Sequence, residues 1–524
     1  MYHLSNVSKA TPEKIAAVFL PSGHTLSYRE LEAAANQTAN ALHAQGVRRG
    51  DCIGICVGNS PALLSLIFGA QRIGVYYTLM STKLSADDFR YILQDAGATV
   101  AIISADAHPA PEVIAMELTT KAGQPINLFG IGMRDGKLRD WEAIRTAAST
   151  TLPVEPSPGR EMLYSSGTTG RPKGVREPLF EGSYDAIDAR NAGVAQVYAL
   201  TASSVFLSPC PLYHSGPNRF LSAAVNYGAT CVIFESFDAE RALAAIGDYK
   251  CTHSLWVPTM FHRLLQLPAK QRAACRTESL RHAIHGAAPC PAHLKRRMID
   301  WWGPVIDEYY SGTEGIGSTH ISAVEWLAHE GSVGRPINCA VHILGDDSEE
   351  VQVGNIGDVY FASTTEFEYW NDTQKTARIC SRQGWRTFGD IGYVDADGYL
   401  YLTGRKDFTI ISGGVNIYPQ EIEDAILEDA RVMDVAVFGV PNEEFGEEVK
   451  AVVQLLDPAD ASASLAAALA QHVRQRLGPI KVPRSVDFVA SLPRHQTGKL
   501  YKKLLIEQYR QGSQGRLQSA SFVK

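Results

Sequence analysis

Apolar positions recur at helical spacing near the start of the chain, in residues 27–45. These positions are Leu31, Ala35, Thr38, Ala39 and Leu42. Ser27 and Glu30 precede them in a capping-box pattern, and Gly46 follows where a helix would end. A stripe of this kind, with start and stop signals at its ends, predicts an amphipathic helix.

Short apolar runs alternate with helix-like stretches through the first half of the chain. Runs at residues 53–57 and 100–103 flank a second predicted helix at 60–73, which has a proline near its start. Further runs follow at residues 204–207, 230–234, 253–257 and 281–284. Strands separated by helices in this way predict parallel α/β layers.

The pattern changes after residue 331. Residues 332–404 are rich in glycine and predict a β-subdomain with strands at 340–344, 357–362, 392–394 and 399–403. The residues after 407 predict a separate α+β unit, with helices at 419–427 and 464–477 and strands at 432–440, 448–456 and 486–490. The predicted fold class is therefore α/β: a large N-terminal domain of stacked α/β subdomains plus a β-subdomain, and a small C-terminal α+β domain.

Composition narrows the function classes. The chain has 524 residues, and a formal net charge of −7 argues against a dedicated nucleic-acid binder. Nine cysteines without a CxxC pair make a disulfide framework or a zinc site an unfavoured interpretation. We find no signal-peptide pattern and no apolar run long enough to cross a membrane. These features predict a cytoplasmic protein without a transmembrane segment.

The segment from Tyr164 to Gly174 carries the strongest chemical signal. It reads Tyr-Ser-Ser-Gly-Thr-Thr-Gly-Arg-Pro-Lys-Gly. Glycines allow close backbone approach to a ligand, and hydroxyls with a lysine supply donors for phosphate oxygens. It is not a Walker A loop, because Pro172 stands five residues after Gly167. A flexible linker is the alternative, although linkers rarely contain so ordered a run.

Four further motifs are weaker when each is taken alone. Residues 308–315 read Glu-Tyr-Tyr-Ser-Gly-Thr-Glu-Gly, and a carboxylate after a strand suits Mg²⁺, although a glycine turn with a solvated glutamate is the plainer interpretation. Residues 285–290 form a small-residue turn after a strand. Asp390 and Arg405 bracket a hairpin and suit ribose or phosphate. Lys499 closes the run Pro-Arg-His-Gln-Thr-Gly-Lys, where a surface lysine is the default.

The order and spacing of these motifs over essentially the whole chain resemble the acyl-adenylate-forming superfamily, specifically AMP-forming acyl-CoA synthetases. The resemblance includes Pro-Leu-Tyr-His at residues 211–214 and the run at residues 411–423. It implies ATP, Mg²⁺ and coenzyme A as substrates and cofactor. A carboxylate would attack the α-phosphate of ATP, releasing pyrophosphate, and a thiol would then displace AMP.

The resemblance also implies nucleotide-binding residues. The phosphate loop would consist of Ser165, Ser166, Gly167, Thr168, Thr169, Gly170 and Lys173. Glu308, Tyr309 and Ala287 would adjoin adenine, and Asp390 and Arg405 would bind ribose. Thr313 would contact the α-phosphate. Glu314 would hold Mg²⁺ with Ser165 or Thr168, and Lys499 would bridge the carboxylate and the α-phosphate.

The resemblance also implies residues for a mobile lid, for the binding of the thiol and for the binding of the acid. Residues 1–404 would form the N-terminal domain, 405–407 a hinge centred on Asp407, and 408–524 the lid. Ser412, Gly413 and Gly414 would adjoin pantetheine. His214 would gate the acid pocket, unless it is a buried histidine satisfied by backbone. The predicted pocket wall consists of Tyr213, His214, Gly216, Asn218, Gly286 and Ala288.

The small wall residues favour a fatty, aryl or polycyclic acid over acetate. Three alternatives stay open: an enzyme that loads a separate carrier-protein thiol, a non-catalytic nucleotide-binding homologue, and an ordinary ATP hydrolase, which the missing Walker loop disfavours. The expected partners are a carboxylic acid, ATP and CoA, and the chain is compatible with a homodimer.

Overall fold

The computed structural model describes residues 2–133, 138–165, 171–494, 500–510 and 518–521. Within them the strands form five sheets. The arrangement confirms the predicted α/β class, with a large N-terminal part and a small C-terminal part. In the described residues, no helix is both long and apolar enough to cross a membrane.

The largest sheet has nine strands, and its central six are parallel. From edge to edge the strands are Arg335–Pro336, Ser318–Ile321, Ile306–Ser311, His282–His285, His253–Trp256, Val205–Ser208, Thr230–Phe234, Ile15–Leu20 and Thr25–Ser27. The carboxyl ends of parallel strands are where open α/β sheets bind their ligands. This sheet therefore has a defined edge for a site.

A second sheet has six strands, all parallel. In order they are Arg139–Asp140, Asn127–Ile131, Ala98–Ser104, Cys52–Cys56, Tyr76–Leu79 and Arg160–Glu161. Its central strand Cys52–Cys56 is buried at every position. Such uniform burial is typical of a parallel strand that is covered on both faces.

The N-terminal part contains fourteen helices within the described residues. They are Leu4–Ala10, Tyr28–Ala44, Pro61–Ala70, Ala86–Ala96, Ala110–Val113, Trp141–Ala147, Ala189–Val197, Ser215–Asn226, Ala239–Asp248, Pro258–Leu265, Ala269–Ala274, Ala292–Trp302, Ala323–Ala328 and Thr373–Arg378. Ser27 and Glu30 form the expected capping box, which confirms the predicted start of the second helix. Gly97 adopts φ = 65° and ends the helix Ala86–Ala96, a conformation that glycine adopts readily.

Two smaller sheets complete the N-terminal part. Three antiparallel strands, Leu163–Ser165, Lys173–Arg176 and Glu368–Tyr369, bring the flanks of the phosphate loop against a distant segment. Four antiparallel strands, Ala340–Leu344, Gly357–Ala362, Asp390–Val394 and Leu400–Arg405, form the expected β-subdomain.

The C-terminal part contains a six-stranded sheet and a core of its own. Its strands are Ile410–Ser412, Val415–Ile417, Val432–Asn442, Gly446–Leu455, Ser485–Val489 and Gln518–Ser521. Its helices are Pro419–Leu427, Ala463–Leu477 and Lys502–Arg510, with 3₁₀ turns at Lys406–Phe408, Pro458–Asp460 and Pro479–Lys481. The 3₁₀ turn Lys406–Phe408 connects the β-subdomain to this part.

Candidate active site

A cavity of about 2060 Å³ lies between the large sheet, the β-subdomain and the C-terminal part. Segments that follow three parallel strands line it, at residues 257–260, 287–291 and 312–315. The C-terminal part contributes residues from the helix Pro419–Leu427 and from 500–502. The cavity is therefore at the ligand-binding edge of the large sheet.

The flanks of the predicted phosphate loop line this cavity. Ser165 pairs with Lys173 across two antiparallel strands, so the two ends of the predicted phosphate loop lie side by side. Ser165 and Lys173 both line the cavity. The predicted loop residues Ser166, Gly167, Thr168, Thr169 and Gly170 lie outside the described residues.

Lys173 forms an ion pair with Asp372. The carboxylate of Asp372 also accepts a hydrogen bond of 3.0 Å from the backbone of Lys375, at the start of the helix Thr373–Arg378. The hydrogen bond from Lys173 is the main cause that lowers the pKa of Asp372. The carboxylate of Asp372 thereby holds Lys173 and caps the first turn of the helix Thr373–Arg378.

Glu314 is directed into the cavity by the turn after the strand Ile306–Ser311. A Cβ on Gly312 would lie 2.4 Å from the ring of Phe388 and 2.7 Å from Oε2 of Glu314, so the turn requires a residue without a side chain. The hydroxyl of Tyr369 donates a 2.7 Å hydrogen bond to Oε1 of Glu314. Thr313 and Glu314 both line the cavity.

Tyr309 and Tyr310 are neighbours on one strand, so their side chains point to opposite faces. Tyr310 donates a hydrogen bond to Asp390, which also accepts a 2.9 Å bond from Nε of Arg405. Burial opposes the charged form of Arg405, but the carboxylate of Asp390 outweighs it and raises the pKa of the guanidinium. Tyr309 instead packs against Phe220, at 5.3 Å between ring centroids.

Glu308 is in a buried ion pair. Its carboxylate lies 2.7 Å from Nζ of Lys295, which is fully buried, and 3.6 Å from Nε2 of His285. Burial raises the pKa of Glu308, and the lysine acts in the opposite direction. Burial, together with Lys295, lowers the pKa of His285.

The small residues after the strand His282–His285 give the backbone room. A Cβ on Gly286 would lie 2.6 Å from the ring of Tyr309, which explains the glycine. Ala287 has φ = 69°, a left-handed conformation that residues other than glycine seldom adopt. Ala287 and Ala288 line the cavity.

His214 stands at the N-cap position of the helix Ser215–Asn226. Its ring lies 4.3 Å from that of Tyr213, and both residues line the cavity. A Cβ on Gly216 would lie 2.5 Å from the hydroxyl of Tyr309. Asn218 points elsewhere: its side chain is buried, and its amide lies 3.5 Å from the hydroxyl of Tyr77.

The C-terminal part presents the flank of the Lys499 segment to the cavity. Leu500, Tyr501 and Lys502 line it, and Nζ of Lys502 lies 2.6 Å from the carboxylate of Glu423. Lys499 itself lies outside the described residues. Asp407 also lines the cavity, in the 3₁₀ turn that joins the two parts.

The predicted thiol-binding segment is in a different place. Ser412 pairs with Val415 in a hairpin whose turn contains Gly413 at φ = 57° and Gly414 at φ = 80°. None of Ser412, Gly413 and Gly414 is among the residues that line the cavity. The arrangement thus brings the Lys499 flank to the site and keeps the glycine hairpin away from it.

Two protein-family models match this chain. The family model of the AMP-binding enzymes matches residues 4–368, and the model of the AMP-binding enzyme C-terminal domain matches residues 421–499. The chain belongs to the AMP-binding enzyme family.

Individual members of this family align along almost the full chain. An indoleacetate–CoA ligase of Aromatoleum aromaticum is 30% identical over 485 residues, which cover 91% of this chain and 92% of the relative. A long-chain-fatty-acid–CoA ligase of Mycobacterium tuberculosis is 30% identical, over 92% of this chain and 93% of the relative. The o-succinylbenzoate CoA synthetase of Bacillus subtilis, solved with its acyl-adenylate, superposes with a TM-score of 0.80 at 26% identity, over 96% of this chain and 97% of that structure.

These relatives confirm the expected reaction class. The AMP-binding enzyme described here is an ATP-dependent, AMP-forming acid–thiol ligase that makes acyl-CoA through an acyl-adenylate.

Three residues that line the cavity were not predicted from the sequence. Tyr310, Tyr369 and Asp372 line the cavity and contact the predicted residues directly. Tyr309 and Tyr310 are adjacent on one strand and point to opposite faces, so residue type alone did not show which of them contacts Asp390. Asp372 had no signal in the sequence, because its partner Lys173 is distant along the chain.

Proposed function

We propose that this enzyme activates an aryl, polycyclic or medium- to long-chain fatty acid in two steps that share one cavity. The observation that carries the proposal is the convergence of Lys173, Glu314 and the Asp390–Arg405 pair on the cavity that the Lys499 flank also enters. Groups from four separate parts of the chain therefore line one cavity, and they carry the charges needed to hold a nucleoside triphosphate.

The nucleotide would bind with its phosphates at the loop 165–173. Lys173 supplies a charge for the β- and γ-phosphates, and the hydroxyls of Ser166, Thr168 and Thr169 are proposed as further donors. Asp390, held by Arg405 and Tyr310, is oriented to accept hydrogen bonds from ribose. We assign the adenine face to Tyr310 rather than Tyr309, because Tyr310 is the tyrosine that contacts Asp390.

The donor set near Glu314 fits magnesium. Glu314 offers a carboxylate and Ser165 a hydroxyl, the oxygen ligands that hard cations prefer, and Thr168 is proposed as a third. The ion would supply charge neutralisation on the phosphates. Tyr369 orients Glu314 through its 2.7 Å hydrogen bond, and Thr313 is assigned to the α-phosphate.

The acid would lie beside His214, with its carboxylate directed towards Thr313 and the α-phosphate. Tyr213, Gly216, Ala288 and Tyr309 also line the cavity and would form the walls of the acid pocket. We leave Asn218 out of this pocket because it faces Tyr77. Lys499 would bridge the attacking carboxylate and the α-phosphate as charge develops in the transition state.

The second step requires a different arrangement of the C-terminal part. We propose residues 1–404 as the N-terminal domain, 405–407 as the hinge, and 408–524 as a lid that rotates about Asp407. Rotation would withdraw Lys499 and bring Ser412, Gly413 and Gly414 to the cavity, where the small residues leave room for pantetheine. A cytoplasmic location and a homodimer are also proposed.

The test is pyrophosphate release from MgATP across short, medium and long fatty acids, aryl acids and steroid acids, with and without CoA. We expect acid-dependent pyrophosphate and a product with the mass of an acyl-CoA. Release of phosphate instead of AMP would support a hydrolase. Acyl-AMP that accumulates and transfers only to a carrier protein would support the carrier-loading alternative.

A further inference from the structure

A cluster of buried charges forms one wall of the cavity. Its cations and anions are Arg160, Arg190 and Arg219, and Glu161, Glu177 and Asp188. Arg190 and Arg219 reach the cavity surface. The charges are equal in number, but not every guanidinium group forms a hydrogen bond to a carboxylate.

Arg160 and Arg190 are well paired. Arg160 lies 2.8 Å from a carboxylate oxygen of Glu177, and Arg190 contacts Glu177 and lies 3.1 Å from Asp188. Charge-assisted contacts of this length stabilise buried guanidinium groups, although the buried Nε of Arg160 has no hydrogen-bond partner in the described residues. Arg160 does not line the cavity, and two carboxylates hold Arg190, so neither guanidinium group is available to a ligand there.

Arg219 is different. Its nearest carboxylate is Glu161, at 3.8 Å, which is too long for a hydrogen bond. Its buried Nε, like that of Arg160, has no hydrogen-bond partner in the described residues and is out of reach of a ligand. The terminal N–H groups of Arg219, which also form no hydrogen bond with the described residues, are the donors that can face the cavity. The side chain is 15% exposed, and the residue lines the cavity. A buried donor left unsatisfied costs free energy, so a group that accepts from it would be bound favourably.

The position of Arg219 relates it to the substrate. Gly216, one helical turn earlier, faces the hydroxyl of Tyr309, and residues three apart share a helix face. Arg219 thus lies on the cavity-facing side of the helix Ser215–Asn226. His214 precedes it by five residues, a rise of about 7.5 Å along the helix axis. A group bound by Arg219 would lie away from the reacting carboxylate.

The charges of the cluster decide what kind of group fits. Three guanidinium groups already face three carboxylates. A second carboxylate on the substrate would leave a net negative charge in a buried site, which is costly. A neutral oxygen, such as a ketone or a hydroxyl, would accept a hydrogen bond without that cost.

We propose that Arg219 is a specificity residue that donates a hydrogen bond to a neutral oxygen on the acid, remote from the reacting carboxylate. The substrate class is then an oxygenated carboxylic acid, one that carries a ketone or hydroxyl on its chain or ring. This inference rests on the proposed function and narrows it.

The test uses pairs of acids with the same skeleton, with and without one ketone or hydroxyl, and kcat/KM for acid-dependent pyrophosphate release. We expect the wild type to prefer the oxygenated member of at least one pair by 10-fold or more. Arg219→Met should lower kcat/KM for that member by about 10- to 100-fold and change the other member less than about 3-fold. Arg219→Lys should keep part of the preference.

Arg263→Met is the matched control, because Arg263 also lines the cavity but is exposed. It should change both members of a pair equally. Absence of any pair preference in the wild type, or an equal loss for both members in Arg219→Met, would overturn the inference. A preference for the dicarboxylic analogue would overturn its neutral-oxygen part. If Arg219→Met does not fold, the wild-type ratio and Arg219→Lys decide. Turnover of acids without preference refutes this inference alone, whereas no turnover of any acid refutes the proposed function as well.

Discussion

Tyr369 holds the carboxylate proposed as the magnesium ligand. Its hydroxyl donates a 2.7 Å hydrogen bond to Glu314. Tyr369→Phe removes this donor and keeps the ring, so the carboxylate loses orientation but not charge. We expect about a 10- to 100-fold loss in kcat/KM for ATP, which is the scale of one hydrogen bond to a charged group, and a higher magnesium requirement.

A magnesium titration of pyrophosphate release measures both effects. Tyr393→Phe is the control, because Tyr393 stacks on Tyr401 in the β-subdomain and does not line the cavity. An unchanged magnesium requirement in Tyr369→Phe would argue against the assigned role of Glu314.

Ala287 lines the cavity and has a strained backbone conformation. At φ = 69° a residue with a Cβ is disfavoured by about 1–2 kcal/mol, and a β-branched residue by more. We expect Ala287→Gly to be neutral or slightly stabilising, because relief of strain offsets the added chain entropy. Ala287→Val should lower the free energy of unfolding by about 1–2 kcal/mol. Urea denaturation of the two variants compares them, and equal stability would contradict the argument from strain.

Single residues were predictable where chemistry and spacing coincide. Glu314 follows a strand and a glycine turn, and the sequence alone indicated its carboxylate. The choice between Tyr309 and Tyr310 was not fixed by residue type, since both are tyrosines on one strand. Only the contact of Tyr310 with Asp390, which is distant in sequence, distinguishes them.

At the scale of elements, the helix Pro419–Leu427 carries a carboxyl group whose pKa depends on how the C-terminal part packs. Burial raises the pKa of Asp424 to about 7, opposed by a hydrogen bond from Gln420. Burial raises the pKa of the Cys290 thiol in the N-terminal part, and the charge of Asp424 acts in the same direction. The helix Pro419–Leu427 therefore lies near Cys290.

The raised pKa makes stability depend on pH. Between about pH 4 and 7 the folded state holds this proton more tightly than the unfolded state, so stability falls as the pH rises through that window. Asp424→Asn removes the effect. We expect a higher melting temperature than wild type at pH 8 and equal melting temperatures near pH 4. Asp460→Asn, an exposed position in the same part, should follow the wild type at both pH values.

Element boundaries followed local signals closely where those signals were strong. The predicted strands at 230–234, 340–344 and 357–362 and the helix at 419–427 match the structure residue for residue. The predicted helix at 60–73 ends earlier, at Ala70, since the following residues turn towards a buried strand. The strand Glu368–Tyr369 was not predicted, because two residues carry no periodicity and pairing with Lys173–Arg176 is a long-range contact.

At the scale of the molecule, the proposed reaction needs the lid to rotate. Asp407 lies in the short turn Lys406–Phe408 between the two parts. Asp407→Pro would fix φ near −65° and restrict the rotation. We expect acyl-AMP formation to change less than about 3-fold and thioester formation from synthetic acyl-AMP to fall at least 10-fold. Asp407→Ala is the control, and equal effects on both steps would contradict a hinge at this residue.

The overall architecture was accessible from the sequence, but the relative placement of its parts was not. Periodicity indicated α/β layers, a β-subdomain and a separate C-terminal unit. It carried no information on which face of that unit meets the cavity. Contacts such as Lys502 with Glu423, which fix the flank of Lys499, arise only after the chain folds.

The most direct test of the central claim is acid-dependent pyrophosphate release in Lys499→Ala beside Lys503→Ala, an exposed lysine on the next helix. The account predicts a loss on the order of 10²–10³ in Lys499→Ala, with thioester formation from synthetic acyl-AMP retained, because this lysine stabilises only the first transition state. Lys503→Ala should stay within about 2-fold of the wild type. Full adenylation activity in Lys499→Ala would contradict the account.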